Sequence, residues 1–63
     1  MEIFYIYRGS DLNQIDWTSG SLNSAKIIVE RSVTVERYDE DDPNIYAVAD
    51  GERVYRIERR VLK

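Results

Sequence analysis

Two strand-like runs rich in apolar side chains flank Asp50-Gly51, and this arrangement constrains the fold more than any other feature of the sequence. The runs cover residues 44–49 and 52–60. Asp-Gly favours a type I′ turn, because both central positions of that turn need a positive φ. The pattern therefore predicts an antiparallel β-hairpin. A two-residue turn places Tyr46 opposite Tyr55 on a core face, whereas a bulge shifts the pairing by one residue and exchanges the faces of one strand.

Three further segments complete the predicted elements. Residues 3–7 are all large, aromatic or β-branched, so that both faces are apolar, and we predict a strand over residues 2–8 that is covered on both sides. Residues 21–31 carry apolar side chains at helical spacing behind Ser21, whose hydroxyl can cap the first turn of a helix. Residues 33–38 favour a strand because they are rich in β-branched side chains, with continuation of the helix as the alternative.

We interpret the two remaining segments as loops. Residues 9–20 lack a regular pattern, and we favour a lid in which Leu12, Ile15 and Trp17 fold back and close one end of the core. Residues 39–44 form the second loop, because four acids are followed by the only proline of the chain, and proline disfavours helical geometry in the residue before it.

These elements predict a single domain, residues 1–63, of the α+β class. One helix packs on one face of a small antiparallel sheet of about four strands, in the order β-α-β-β-β. The alternative is a small all-β barrel, which follows if residues 27–29 are extended instead of helical. The predicted core takes residues from every element: Ile3, Tyr5, Leu22, Ala25, Ile28, Val29, Val35, Tyr46, Val48, Tyr55 and Ile57.

Composition excludes several classes of function. The chain contains no cysteine and no histidine, which excludes a disulfide framework, a Cys/His zinc module and catalysis by either residue. The acidic segment departs from the calcium-loop pattern, since Asn44 stands where that loop needs glycine. We therefore expect no catalytic residue, no cofactor and no metal. The apolar stretch near the start is too short to span a membrane, and a cysteine-free chain is consistent with the cytoplasm.

Charge is distributed unevenly along the chain. Residues 36–42 contain five acids and one arginine, whereas residues 53–63 contain five basic residues and one acid. Two interpretations follow: separate acidic and basic recognition surfaces, or two segments that lie together and compensate each other's charge. The first interpretation, with a tryptophan from the long loop, predicts partner-binding residues at Asp39, Glu40, Asp41, Asp42, Arg53, Arg56, Arg59, Arg60 and Trp17.

So small a domain has little volume for a deep cleft, which favours action by surface contact. Its short α+β layout with mixed charge resembles small proteins of phages and mobile elements, which include inhibitors that block the surface of a partner. The resemblance is one of size and layout and implies no residue role. The leading hypothesis is therefore a non-enzymatic protein-binding module that acts as an inhibitor or regulator on a protein partner.

Two alternative functions are compatible with the sequence. A strand face of arginine and tyrosine suits single-stranded nucleic acid, although a net charge of −3 opposes the approach of a polyanion. The basic residues concerned are Arg53, Arg56, Arg59, Arg60 and Lys63. The other alternative is a self-associating structural protein, in which a second apolar face of the sheet forms the interface between copies.

Overall fold

An open five-stranded antiparallel sheet and one helix make up the part of the chain that the computed structural model describes, residues 1–62. The elements are β1 (Glu2–Arg8), β2 (Gln14–Ser19), α1 (Leu22–Ser32), β3 (Arg37–Asp41), β4 (Asn44–Ala49) and β5 (Glu52–Val61). The strand order is β2-β1-β5-β4-β3, and every neighbouring pair is antiparallel. The predicted α+β class is confirmed. The barrel alternative is wrong, because the sheet stays open and residues 27–29 are helical.

The sheet has one strand more than predicted, because β2 forms within the segment interpreted as a loop. Its pairing with β1 sets Phe4 opposite Ser19 and Ile6 opposite Trp17. Most residues of β2 are exposed, so the strand shows no apolar alternation that a sequence pattern can reveal. The predicted lid is also wrong, since the side chains of Ile15 and Trp17 lie largely in solvent.

The strand after the helix starts later than predicted. β3 begins at Arg37, whereas the sequence predicts a strand over residues 33–38. It includes Asp39, Glu40 and Asp41, which we expected in a loop. An edge strand accommodates this acidic composition, because charged side chains on an edge reach water and discourage pairing with other chains.

The helix agrees closely with its prediction. The Oγ atom of Ser21 accepts a hydrogen bond from the backbone amide of Ser24 at 3.1 Å, which satisfies one free donor of the first turn. Ala25 and Val29 are buried against the sheet, and Ile27 points away from it. No helix within residues 1–62 is long and apolar enough to cross a membrane.

The core lies between α1 and one face of the sheet, which we call the helix side. Its buried members come from four elements: Phe4, Ile6, Ala25, Val29, Ala47, Tyr55 and Ile57. On β1 the prediction chose the wrong face, because Ile3 and Tyr5 point away from the helix while Phe4 and Ile6 point towards it. Both faces of β1 are apolar, so only the position of the helix decides which of them is buried.

One extra residue in β5 decides which side chains of the hairpin face the core. The Asp50-Gly51 turn forms as predicted, with positive φ at both residues. The register then shifts at Val54, a β-bulge, so that Tyr46 stands opposite Arg56 and not opposite Tyr55. The predicted placement of Tyr46 in the core is therefore wrong, since it lies on the face opposite to the helix.

Candidate interaction surface on the open face of the sheet

The face of the sheet away from α1, which we call the open face, carries an ordered set of tyrosines and arginines. Residues directly opposite one another in an antiparallel ladder share a face, so the registers define its members. One row crosses all five strands and consists of Asp39, Tyr46, Arg56, Tyr7 and Ile15. The neighbouring rows add Ile3, Tyr5, Thr18, Arg37, Asp41, Asn44, Val48, Arg53, Glu58 and Arg60.

Three arginines of β5 stack on three tyrosines of this face. The guanidinium carbon of Arg56 lies 3.9 Å from the ring centroid of Tyr7. The corresponding distances are 4.1 Å for Arg53 over Tyr46 and 4.5 Å for Arg60 over Tyr5. Each distance is within the range of a favourable cation–π contact. The open face therefore combines arginines and tyrosines with three aliphatic residues, Ile3, Ile15 and Val48.

Arg56 is the most enclosed of these arginines, with 16% of its side chain exposed. Its Nε atom donates to the backbone oxygen of Leu12 at 3.1 Å, and its Nη1 atom donates to Oδ1 of Asn44 at 3.1 Å. A longer bond of 3.4 Å joins Nη2 to Oδ1 of Asn13. Arg56 therefore ties the turn between β1 and β2 to β4 and β5.

Glu58 organises the second part of the network. Its Oε1 atom accepts a hydrogen bond from the Tyr7 hydroxyl at 3.0 Å and lies 3.1 Å from Nη2 of Arg60. Burial opposes ionisation of Glu58, but the bonds from Tyr7 and Arg60 outweigh it and lower the pKa of the carboxyl group. Burial and the bond to Glu58 raise the pKa of Tyr7. Glu58 is therefore charged and Tyr7 neutral near pH 7.

An acid at the β3 edge neutralises the other end of the open face. Asp39 accepts a hydrogen bond from Nε of Arg37 at 3.0 Å, and its second oxygen lies 3.6 Å from Nε of Arg53. The bond from Arg37 is the main cause that holds the pKa of Asp39 below its usual value. The open face consequently carries arginines whose charges are partly compensated by neighbouring carboxylates.

The structure separates the predicted binding residues into two groups. Asp39, Asp41, Arg53, Arg56 and Arg60 share the open face. The registers place the others on the helix side or in a turn: Glu40, Arg59, Trp17 and Asp42. Lys63, part of the nucleic-acid alternative, lies outside the described residues.

The acidic and basic segments meet on both faces of the sheet. On the open face Arg53 pairs with Asp39, and towards the helix side Arg59 pairs with Asp42. Arg59 also lies 3.6 Å from Glu2 through its Nε atom. These pairs favour mutual compensation over two separate charged surfaces.

The sequence reasoning missed four members of the network: Tyr5, Tyr7, Tyr46 and Glu58. Two of them, Tyr5 and Tyr46, were assigned to the core because tyrosine in a strand is commonly half-buried. Glu58 had a recognisable signal, since it is the only acid among the basic residues of the C-terminal segment. An isolated acid within an arginine-rich strand indicates an internal partner for those arginines.

A cavity of about 480 Å³ lies beside the start of α1. Phe4, Leu22 and Ile45 contribute its apolar surface, and Arg59 at its rim is paired with acids of the same rim. Within residues 1–62 no cluster of three or more acids can hold a metal ion. Its lining therefore combines apolar side chains with charged ones, among which Arg59 pairs with Glu2 and Asp42.

Comparison of the chain with models of protein families, with curated proteins and with solved structures finds no match. Any functional conclusion therefore depends on the geometry described above.

Proposed function

We propose that this chain is a non-enzymatic protein-binding module that acts by surface contact through the open face of its sheet. The observation that carries the proposal is the set of three arginine–tyrosine stacks on a face that α1 does not cover. Tyrosine and arginine are enriched at the energetically important positions of protein interfaces, because each offers a large contact area together with directional hydrogen bonds.

The network also reduces the cost of binding. A flexible arginine loses side-chain entropy when a partner immobilises it. Arg60 is already held by Glu58 and by the Tyr7 hydroxyl, yet half of its side chain remains exposed. A partner thus meets side chains that are largely ordered before contact, which supports a specific complex.

The charge balance favours a protein partner over a nucleic acid. The open face contains four arginines and three carboxylates, so a polyanion would meet Asp39, Asp41 and Glu58 among the bases. Protein surfaces of mixed charge can match such a pattern. In the same proposal the module acts in the cytoplasm as an inhibitor or regulator, by covering a working surface of its partner.

Affinity capture with matched variants tests the proposal. The tagged protein retains its partner from host lysate, and the double variant Arg53→Gln with Arg60→Gln loses it. Arg31→Gln removes an exposed arginine from α1 and keeps the partner. Circular dichroism confirms that all variants are folded. Retention by the double variant contradicts the proposal, and retention of nucleic acid with steep salt dependence selects the alternative function.

A further inference from the structure

The two edges of the sheet differ in a way that the open face does not explain. Four of the five residues of β3 are charged, which protects that edge from pairing. β2 contains a single charged residue, Asp16, and Nε of Arg8 lies 3.3 Å from its Oδ1 atom. Trp17 is 62% exposed and Ile15 is 57% exposed. An exposed edge that carries two large apolar side chains, and whose one charged side chain is paired, is a template for another strand.

We infer that β2 is the interface between two copies of this chain, which pair edge to edge as antiparallel strands. Unpaired backbone amides and carbonyls of an edge are complemented by a second strand. One available edge and one protected edge are what a closed dimer needs, because two available edges would allow unlimited sheet growth. The second copy is the occupant that the charges favour, because the single acid of β2 is already paired with Arg8 and two β2 strands bring no unpaired like charges together.

The register of β2 with β1 skips Asp16, which forms a bulge between Ile15 and Trp17. We place the two-fold axis of the dimer at Trp17 and leave Asp16 out of the pairing between copies, as it is left out of the pairing with β1. Ile15 then stands opposite Thr18 of the second copy on the open face. Trp17 then stands opposite its equivalent on the helix side. No like charges face each other across the pair, and a β-branched pair and an aromatic pair are formed.

The dimer joins the two sheets into one and sets both helices on the same side. Since α1 follows β2 directly and packs against β1 and β2, the two tryptophans lie between the helices. A six-residue edge spans about 20 Å and provides a contact at the small end of specific interfaces. We therefore expect a reversible dimer with a dissociation constant in the micromolar range.

Sedimentation velocity and fluorescence test the inference on the full chain. Across micromolar to millimolar concentrations, the sedimenting mass changes from that of one copy to that of two. Trp17 is the only tryptophan, so its emission reports burial of the edge directly and shifts to shorter wavelength with the same midpoint. A protein that stays monomeric at millimolar concentration overturns the inference, even where β2 binds a different protein.

Matched substitutions distinguish edge pairing from other modes of association. Trp17→Lys and Ile15→Lys act on opposite faces of the edge, and each weakens the dimer by about tenfold or more. Ile27→Lys places the same charge on the exposed side of α1 and leaves the dimer intact. If only one edge variant weakens the dimer, the copies associate through a face and the inference is wrong. Arg60→Gln preserves the dimer, which separates this result from the test of the open face.

Discussion

The two faces of the sheet use the same strands and different physical chemistry. On the helix side, Ile6 and Ile57 stand opposite each other and are fully buried under α1. On the open face, the neighbouring positions hold Tyr7 and Arg56, which stack on each other. Each of them also forms hydrogen bonds with other residues. The free energy gained by burying apolar area does not depend on the direction of the contacts, whereas cation–π stacks and hydrogen bonds require a defined geometry. We therefore expect the helix side to supply most of the stability and the open face to supply an ordered surface.

Truncation of the core tests this division most strongly. Ile57→Ala removes a fully buried side chain and leaves a cavity, so the free energy of unfolding should fall by about 2–5 kcal/mol. Urea denaturation followed by circular dichroism measures the loss. Because so small a domain is only marginally stable, Ile57→Val serves as a milder variant with an expected loss of about 0.5–1.5 kcal/mol. A negligible effect of both variants would show that the helix side is not the main source of stability.

Loss of Arg56 tests the open face. Arg56→Ala leaves the carbonyl of Leu12 and the amide oxygen of Asn44 without their donor, and stability should fall by about 1–3 kcal/mol. Arg56→Lys should retain only part of the stability that Arg56→Ala loses, since an ammonium group cannot reproduce the planar, forked hydrogen bonding of the guanidinium group. Hydrogen exchange in the turn between β1 and β2 should accelerate in both variants. Unchanged exchange there would mean that Arg56 does not hold the turn.

Acid titration reports the Glu58 network separately from the core. The pKa of Glu58 is lowered in the folded protein, so its contribution is present above the unfolded value of about 4.3 and is lost as the pH falls through the folded pKa. The stability difference between the wild type and Glu58→Gln should therefore shrink through this acidic window. Urea midpoints at several pH values measure it. A difference independent of pH would assign the effect of Glu58 to packing.

The smallest effect is expected from an exposed ion pair near the helix side. The side chain of Asp42 is 78% exposed where it pairs with Arg59. Asp42→Asn should change the free energy of unfolding by at most about 1 kcal/mol, and less in high salt. Thermal unfolding at two salt concentrations checks this. A larger, salt-independent loss would indicate that the turn between β3 and β4 needs the carboxylate for another reason.

The parts of the fold that sequence predicts well are those encoded by neighbouring residues. The Asp50-Gly51 turn and the Ser21 cap depend on local chemistry, and both form as expected. β2 could not be predicted, because its pairing with β1 leaves most of its side chains in water. The buried face of β1 could not be chosen either, since the helix that selects Phe4 is distant in sequence.

The candidate site was predicted only in part, for a related reason. Arg53, Arg56 and Arg60 were recognised from the arginine-rich segment, and the structure brings them together on the open face. Their aromatic partners were missed because strand registers decide which tyrosines they meet. Tyr7 comes from the other end of the chain and reaches Arg56 only through the pairing of β1 with β5.

Because Val54 is an extra residue in β5, the number of residues between the turn and Arg56 decides which face each later side chain takes. The identity of the residue at position 54 matters less for this direction. Replacement of Val54 by isoleucine or threonine keeps the number of residues between the turn and Arg56, so each later side chain keeps its direction. Removal of one residue would restore even spacing along the strand, and either Tyr46 or Tyr55 would then point to the wrong side. Anyone who transplants this hairpin into another scaffold must therefore carry the irregularity with it.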